Sequence, residues 1–338
     1  KTEGRRQAQS GLHNQGPIKI NAHNRQKETC GAQEEKQPMR TKRHFSQCIV
    51  AVSIACVFCT AALAQDPWQQ AVANGVRNRV FLTATWRFVQ GWLQHADPVS
   101  GLIPRNLNND FYWNAKDAAA DNYPFMVLSS FYTDRALFNS RMKEMLATEQ
   151  RLANRIGMLP DDYDFETKSF RVPEPKLDDI IFGASEYAKD GLVPLTELLG
   201  PSPWSDRMLQ MLDEILAHAT YDTEVGKLPS TSHEVCGDLM QTLSRMYWMT
   251  KKDQYRDAAF QIAAYFLEHH PPEQTDQLRL DDHGCEVIGG LSEVYYIAAQ
   301  IDPDRRERWK PAMHRMLDRI LEVARDENGL LYNLVNPV

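Results

Sequence analysis

Apolar side chains recur every three or four positions along most of the chain beyond residue 66, and polar turns separate these stretches. Leu82, Trp86, Val89 and Leu93, for example, fall on one face of a helix. No alternation of apolar and polar residues is long enough to indicate a useful strand. The pattern predicts helices over residues 76–93, 118–132, 140–155, 187–199, 204–219, 234–249, 254–269, 285–300 and 308–325. The fold class predicted is therefore all-α.

A short turn motif stands between many of these helices. It consists of a glycine, a hydrophobic residue one or two positions on, and often a proline. The four copies are Gly101–Pro104, Gly157–Pro160, Gly226–Pro229 and Gly329–Tyr332, and residues 277–280 form a fifth copy without glycine. Self-similarity at roughly 50–70 residues indicates a stack of helical hairpins, none of which can bury its apolar face alone.

The order of outer helix, glycine turn, loop and acidic inner-helix start resembles the six-hairpin glycosidase superfamily. The segment Asp121–Met126 is similar to the Asp-x-x-Phe-Met type of segment in unsaturated glucuronyl and rhamnogalacturonyl hydrolases. It departs from that pattern in placing Asn-Tyr-Pro after the aspartate, and no second catalytic aspartate stands in a matching context. The resemblance implies an (α/α) toroid that acts on carbohydrates. About four and a half hairpins are present, so the toroid is expected to be incomplete at the C-terminus.

The first sixty-four residues are expected to lie outside this toroid. Residues 39–43 supply a methionine and a basic region, residues 49–63 are uncharged and apolar, and Ala62-Leu63-Ala64 fits a signal-peptide cleavage site. We predict a disordered or mistranslated leader over 1–38, a signal peptide over 39–64 and a partial toroid over 65–338. The protein is then secreted or periplasmic and has no membrane partner after cleavage, although Cys56 as a lipid anchor is a minor alternative.

Charge and motifs exclude several classes of function. The whole chain has a formal net charge of −7, and removal of the ten basic and four acidic residues of 1–64 makes it more negative. Such a chain is a poor partner for nucleic acid. The sequence contains no phosphate-binding loop, serine elbow or HExxH segment. We therefore expect no nucleic-acid partner and no cofactor.

Carboxylates are concentrated at the predicted starts of the inner helices. These residues are Asp117, Asp121, Asp178, Asp179, Glu186, Asp190, Glu234, Asp238, Asp281, Asp282 and Glu286. Helix N-termini favour such residues whatever the function, so capping alone explains many of them. Glycoside hydrolysis, however, needs a protonated carboxyl group and a second carboxylate, which adjacent hairpins can supply.

Asp121 is the leading candidate for the catalytic acid, because Trp113 and Tyr123 stand beside it and sugar sites pair acids with flat aromatic rings. Glu234 or Glu286 is the predicted catalytic partner. The predicted substrate contacts are Trp113, Tyr123, Asp190, His233, Asp282 and His283. For Trp113, an ordinary core position is an equal alternative.

His233-x-x-Cys236 and His283-x-Cys285 form a second constellation. In an exported protein, Cys236 and Cys285 are candidates for a disulfide. Alternatively, the four side chains hold zinc, in a way that resembles the Cys and His ligands of lanthionine cyclases. A third interpretation leaves both thiols free.

The sequence thus predicts an exported carbohydrate-active enzyme. The first hypothesis is a glycoside hydrolase that binds no metal and acts on an oligosaccharide or polysaccharide, including those that bear uronic acids. Related toroids also include lyases and epimerases, so these reactions are possible on the same fold. The alternatives are an α-solenoid that binds a protein or peptide, and a zinc-dependent toroid enzyme.

Overall fold

A computed structural model describes residues 66–108 and 111–338. The predicted leader (1–38) and signal peptide (39–64), with their four cysteines, lie outside these residues. Among the residues described, no helix combines the length and the apolar character that a membrane span requires.

The described chain alternates between outer and inner helices, which confirms the predicted all-α class. The outer helices are Pro67–Gln94, Arg135–Leu137 continuing through Phe138–Met142 and Lys143–Ala153, Pro203–Ala217, Asp253–Ala264 continuing through Tyr265–His269, and Pro303–Val323. The inner helices, first to fourth, are Ala115–Asn122 with Tyr123–Thr133, Leu177–Glu186 with Tyr187–Leu192 and Val193–Leu199, His233–Thr250, and Glu286–Ile301. Short 3₁₀ helices cover Pro272–Gln274 and Asp282–Cys285.

The four inner helices lie side by side in chain order, because each packs against the next. Their facing side chains form much of the hydrophobic core, for example Ala119, Ala184 and Leu239. The outer helices from the second onward cover this row and bury Met208, Met211 and Phe260. The first outer helix, Pro67–Gln94, is exposed along most of its length, and Val89 is its one buried residue. The closed toroid stays a prediction.

The turn motifs form small antiparallel strand pairs. Asn154–Ile156 pairs with Leu159–Pro160, Tyr221–Thr223 with Gly226–Leu228, and Leu278–Arg279 with Leu334–Val335, while Tyr112–Trp113, Tyr163–Asp164 and Ser169–Phe170 make one three-stranded sheet. Gly157 and Gly226 have φ of 52° and 104°, conformations that favour glycine. Leu159 and Leu228 just after them are fully buried. Each of these two turns therefore reverses the chain and anchors it to the core.

The second inner helix begins at Leu177, ten residues before the predicted start at 187. Ile180, Ile181 and Ala184 extend its apolar face and are buried. The sequence-based boundary was wrong because Asp178 and Asp179, in the first turn, made this stretch look like a loop. Acidic residues are in fact favourable in the first turn of a helix.

Two glycines let the third and fourth inner helices approach closely. A Cβ atom on Gly237 would lie 2.2 Å from the backbone carbon of Glu286, and one on Gly290 would lie 2.7 Å from the carbonyl oxygen of Gly237. Neither position has room for a side chain. This close approach fixes Glu286 against the third inner helix.

Candidate active site

Charged side chains from all four inner helices meet near the starts of the third and fourth helices and beside inner segments of the first and second. We call this group the acid cluster: Asp121, Glu186, Lys189, Asp190, Glu234, Asp238, Asp282, His283 and Glu286. Two of its contributing segments, Ala115–Asn122 and Tyr187–Leu192, are π-helical. Such wide turns commonly occur at functional sites, where they redirect side chains. Here they carry Asp121, Lys189 and Asp190.

Lys189 is the central cation of the cluster. Its Nζ atom lies 2.6 Å from Oε1 of Glu286, 2.9 Å from Oδ1 of Asp190 and 3.8 Å from Oδ1 of Asp238. The other Glu286 oxygen accepts a hydrogen bond of 2.6 Å from Gln241. These acids raise the pKa of Lys189 although burial opposes this. One ammonium group therefore links the second, third and fourth inner helices.

Asp238 is fully buried beneath Lys189. Ser185 donates a hydrogen bond of 3.1 Å to its Oδ2, whereas Oδ1 has no hydrogen-bond partner. Burial raises the pKa of Asp238 to about 8, and the charge of Glu286 adds to this effect, although Lys189 works against it. Lys189 compensates Asp238 only in part, because its nearer contacts are with Glu286 and Asp190.

Glu186, Glu234 and His283 form the densest part of the cluster. Nδ1 of His283 lies 2.7 Å from Oε1 of Glu186 and 3.0 Å from Oε1 of Glu234. Both oxygens are buried and lack a hydrogen-bond partner, so these short contacts are not aligned hydrogen bonds. Burial raises the pKa of Glu186 to about 9, and Asp238 and Glu234 add to this. Each of these three side chains offers one possible metal-ligand atom, and among the residues described these atoms all lie within 4.8 Å of one another. Ligands of a metal ion lie similarly close together.

Asp121 lies at the open side of the cluster and is solvent-exposed. Partial loss of water around it raises its pKa, and the charges of Asp117 and Asp190 add to the effect while His283 opposes it. An exposed carboxyl group whose pKa is raised can reach a substrate and deliver a proton. This is the behaviour expected of a catalytic acid.

A separate groove lies beside Tyr112. Its volume is about 1050 Å³, and Phe111, Tyr112, Phe170 and Arg171 are among the residues that line it, whereas the members of the acid cluster do not. Tyr112 also accepts a hydrogen bond of 2.9 Å from Arg105, whose Nε atom lies 3.1 Å from Asp117. Arg105 therefore connects a groove residue to Asp117, whose charge adds to the effect of burial in raising the pKa of Asp121.

The structure places Asp121, Asp190, Glu234, Asp282, His283 and Glu286 together, as the sequence analysis required. It does not bring Trp113, Tyr123 and His233 to the same place. Trp113 is a core residue, and the hydroxyl of Tyr123 is used internally, donating to Met142 and accepting from Trp204. Their burial corrects the prediction that they contact substrate.

His233 faces a different part of the molecule. Its ring packs against Phe266 with centroids 5.4 Å apart, and it borders a separate pocket with Tyr265 and His269. Burial lowers the pKa of this imidazole. His233 therefore lies outside the group formed by Glu186, Glu234 and His283, which corrects the predicted sugar contact and leaves the alternative zinc set of two histidines and two cysteines unassembled.

The predicted disulfide is not formed. Cys236 is buried and donates to the carbonyl of Ser230, whereas Cys285 is exposed and donates to the carbonyl of Asp282. The two thiols bond to backbone groups of different loops, one before the third inner helix and one before the fourth. Of the three interpretations, the structure matches the one with free thiols.

Sequence reasoning overlooked Lys189, Ser185 and Gln241, and it gave Glu186 and Asp238 no role beyond helix starts. Helical spacing contained the necessary signal. Glu234, Asp238 and Gln241 are separated by four and three positions, so they share one face of the third inner helix. Glu186 and Lys189 are likewise three positions apart.

Comparison of the chain with protein-family models and with curated proteins gave no match. The candidate site therefore has to be judged by its own geometry and chemistry.

Proposed function

We propose that this protein is a carbohydrate-active enzyme, most simply a glycoside hydrolase that uses carboxyl groups as acid and base. The supporting observation is the acid cluster, in which an exposed carboxyl group with a raised pKa stands beside carboxylates from three other inner helices. Glycoside hydrolysis requires such a pair of groups. The resemblance to six-hairpin glycosidases supports the same chemistry, a toroidal closure of the helix row and an exported protein.

Asp121 is the proposed acid that protonates the leaving oxygen. Among the possible partners, Asp190 has the most suitable surroundings. Its side chain is about one-third exposed (37%), it is ion-paired with Lys189 at 2.9 Å, and it interacts electrostatically with Asp121. The sequence-based partners are less accessible: Glu286 is held by Lys189 and Gln241, and Glu234 faces His283.

The groove beside Tyr112 supports an extended substrate. Phe111 is exposed there and offers a flat ring to a sugar, whereas Arg171 covers the ring of Tyr112 at 3.8 Å and Arg155 covers that of Phe170 at 4.5 Å. The charge of the groove is mixed, because Asp97, Asp164 and Glu166 line it together with the two arginines. We place uronic-acid-bearing oligosaccharides first among the substrates because of the resemblance to unsaturated glucuronyl hydrolases, and because the guanidinium group of Arg171 can bind a carboxylate.

A screen of oligosaccharides tests this proposal. Purified full-length protein is incubated with neutral, uronic-acid-bearing and unsaturated oligosaccharides, and new reducing ends and new double bonds are measured separately. Hydrolysis produces only reducing ends, whereas a lyase also produces an absorbing double bond. Asp190→Asn should reduce the observed turnover at least about 100-fold if Asp190 is the base. The absence of turnover on every class would overturn the proposal.

A further inference from the structure

We propose that Glu186, Glu234 and His283 bind a divalent first-row transition-metal ion. The inference does not rest on the proposed function, since the site is defined by its ligand geometry and can be tested without a substrate.

The three side chains come from three separate elements and converge on one point. Glu186 ends the Leu177–Glu186 segment, Glu234 begins the third inner helix, and His283 lies in the short helix before the fourth. One imidazole nitrogen and two carboxylate oxygens lie within 4.8 Å of one another. Zinc bonds of about 2.0–2.2 Å to each of them require ligand atoms separated by roughly 3–4 Å. The distances from Nδ1 of His283 to the two Oε1 atoms, 2.7 and 3.0 Å, lie at or just below that range, so the side chains need to separate slightly when the ion binds.

Glu186 is the observation that separates this group from an ordinary acidic surface. Its side chain is 4% exposed, yet its Oε1 atom, like that of Glu234, is buried without a hydrogen-bond donor. Buried carboxylate oxygens are normally satisfied by hydrogen bonds or ions. A cation between these two oxygens would satisfy both.

Asp282 supplies the orientation that a metal-bound histidine needs. Its Oδ2 atom lies 3.3 Å from Nε2 of His283, on the opposite side of the ring from the two glutamates. Ligating histidines usually give their second N–H to a carboxylate, which fixes the tautomer. With the proton on Nε2, the lone pair of Nδ1 faces Glu186 and Glu234.

The donor set selects the type of ion. Imidazole favours zinc and other transition metals, whereas calcium and magnesium prefer sites made only of oxygen ligands. Three protein ligands also leave positions for water, as in catalytic zinc sites. Zinc and manganese are therefore the ions expected to bind, and calcium is expected to bind weakly.

Isothermal titration calorimetry on metal-stripped full-length protein provides the test, with zinc chloride and manganese chloride as titrants and calcium chloride for comparison. The wild type should bind one equivalent of zinc or manganese more tightly than calcium. His283→Gln and Glu234→Gln should weaken that binding by well over about tenfold, and Asp282→Asn by about tenfold. Circular dichroism confirms that each variant is folded, and the exposed Asp282 remains informative if a ligand variant does not fold.

His270→Gln is the matched control, because His270 forms a comparable pair with Glu224, 3.2 Å apart on the surface. This variant should bind the metal as the wild type does. Absence of binding in the wild type would overturn the proposal. Equal binding in His283→Gln, Glu234→Gln and wild type would also overturn it, and would mean an adventitious ion only.

Discussion

Lys189 and Glu286 are ninety-seven positions apart in sequence, and their side chains meet at 2.6 Å. The contact joins the second inner helix to the fourth across the third, which contributes Asp238 and Gln241 to the same group. The architecture of the site thus depends on one ammonium group surrounded by three acids.

Replacement of Lys189 by methionine should therefore destabilise the protein. It leaves Glu286, Asp190 and Asp238 without their cation, and loss of one partner from a buried ion pair costs about 3–5 kcal/mol. Because the Lys189 side chain is 18% exposed, we expect the lower end of that range. Urea denaturation at neutral pH measures the free energy of unfolding.

Lys227→Met serves as the control for this substitution. Lys227 pairs with Asp222 at 3.5 Å, and both side chains are largely exposed. Such pairs contribute about 1 kcal/mol or less. Equal losses of stability in the two variants would contradict the central role given to Lys189.

The buried Asp238 should make stability depend on pH. Its pKa is raised from 3.8 to about 8, so between about pH 4 and pH 8 the native protein retains a proton that the unfolded chain has released. Its contribution to the free energy of unfolding is therefore fully present below pH 4 and decreases as the pH rises toward 8. Asp238→Asn should remove this dependence. As the pH rises through that window, the free energy of unfolding of the variant should increase relative to that of the wild type by up to about 1.4 kcal/mol per pH unit.

Denaturation curves at pH 5, 6, 7 and 8 measure the effect. Asp222→Asn, at an exposed carboxylate, should follow the wild type throughout. A constant difference between Asp238→Asn and the wild type across the series would show that Asp238 does not titrate in this range.

The third and fourth inner helices pack so closely at Gly237 that an added methyl group there should destabilise the protein. In Gly237→Ala the new Cβ would lie 2.2–2.4 Å from backbone atoms of Glu286 and Val287, so the fourth inner helix must move. Overpacking of this kind costs about 1–3 kcal/mol, and the movement would also displace Glu286 from Lys189. Thermal denaturation and the turnover assay report the two effects.

Gly289→Ala provides a matched comparison on the facing helix. There the new Cβ would meet only the flexible side chain of Gln241 at 3.4 Å. Stability should change little, or rise slightly, since alanine is the better helix former. A loss as large as that of Gly237→Ala would contradict the structural account of this contact.

Periodicity predicted the helices well because most of them bury an apolar stripe, although Pro67–Gln94 leaves most of its apolar residues exposed and fully buries only Val89. The repeated turns predicted the hairpins because Leu159 and Leu228 anchor them. The site was only partly predictable. Glu234 and Glu286 were found because they stand at helix starts, and Asp121 and Asp190 because the sequence placed helix starts near them, although both lie within longer helices. Lys189 and Asp238 were given no role, since helical spacing places them on a face with other charged residues but does not show which residues of other hairpins they meet.

The aromatic and histidine candidates show the same limit. Trp113 and Tyr123 flank acidic positions in sequence, but packing directs both into the core. His233 and His283 have similar neighbours, yet only His283 faces the acids, because the two histidines occupy different positions relative to their helices. Sequence proximity identified the segments, and the direction of each side chain depended on tertiary packing.

The effect of Asp121→Asn on turnover tests the central claim most directly. With the oligosaccharide found by the screen as substrate, kcat/KM should fall at least about 100-fold in this variant and remain unchanged in Asp222→Asn. Wild-type turnover should also decline as the pH rises through the raised pKa of this carboxyl group, because the acid then loses its proton. Turnover by Asp121→Asn equal to that of the wild type would contradict the account.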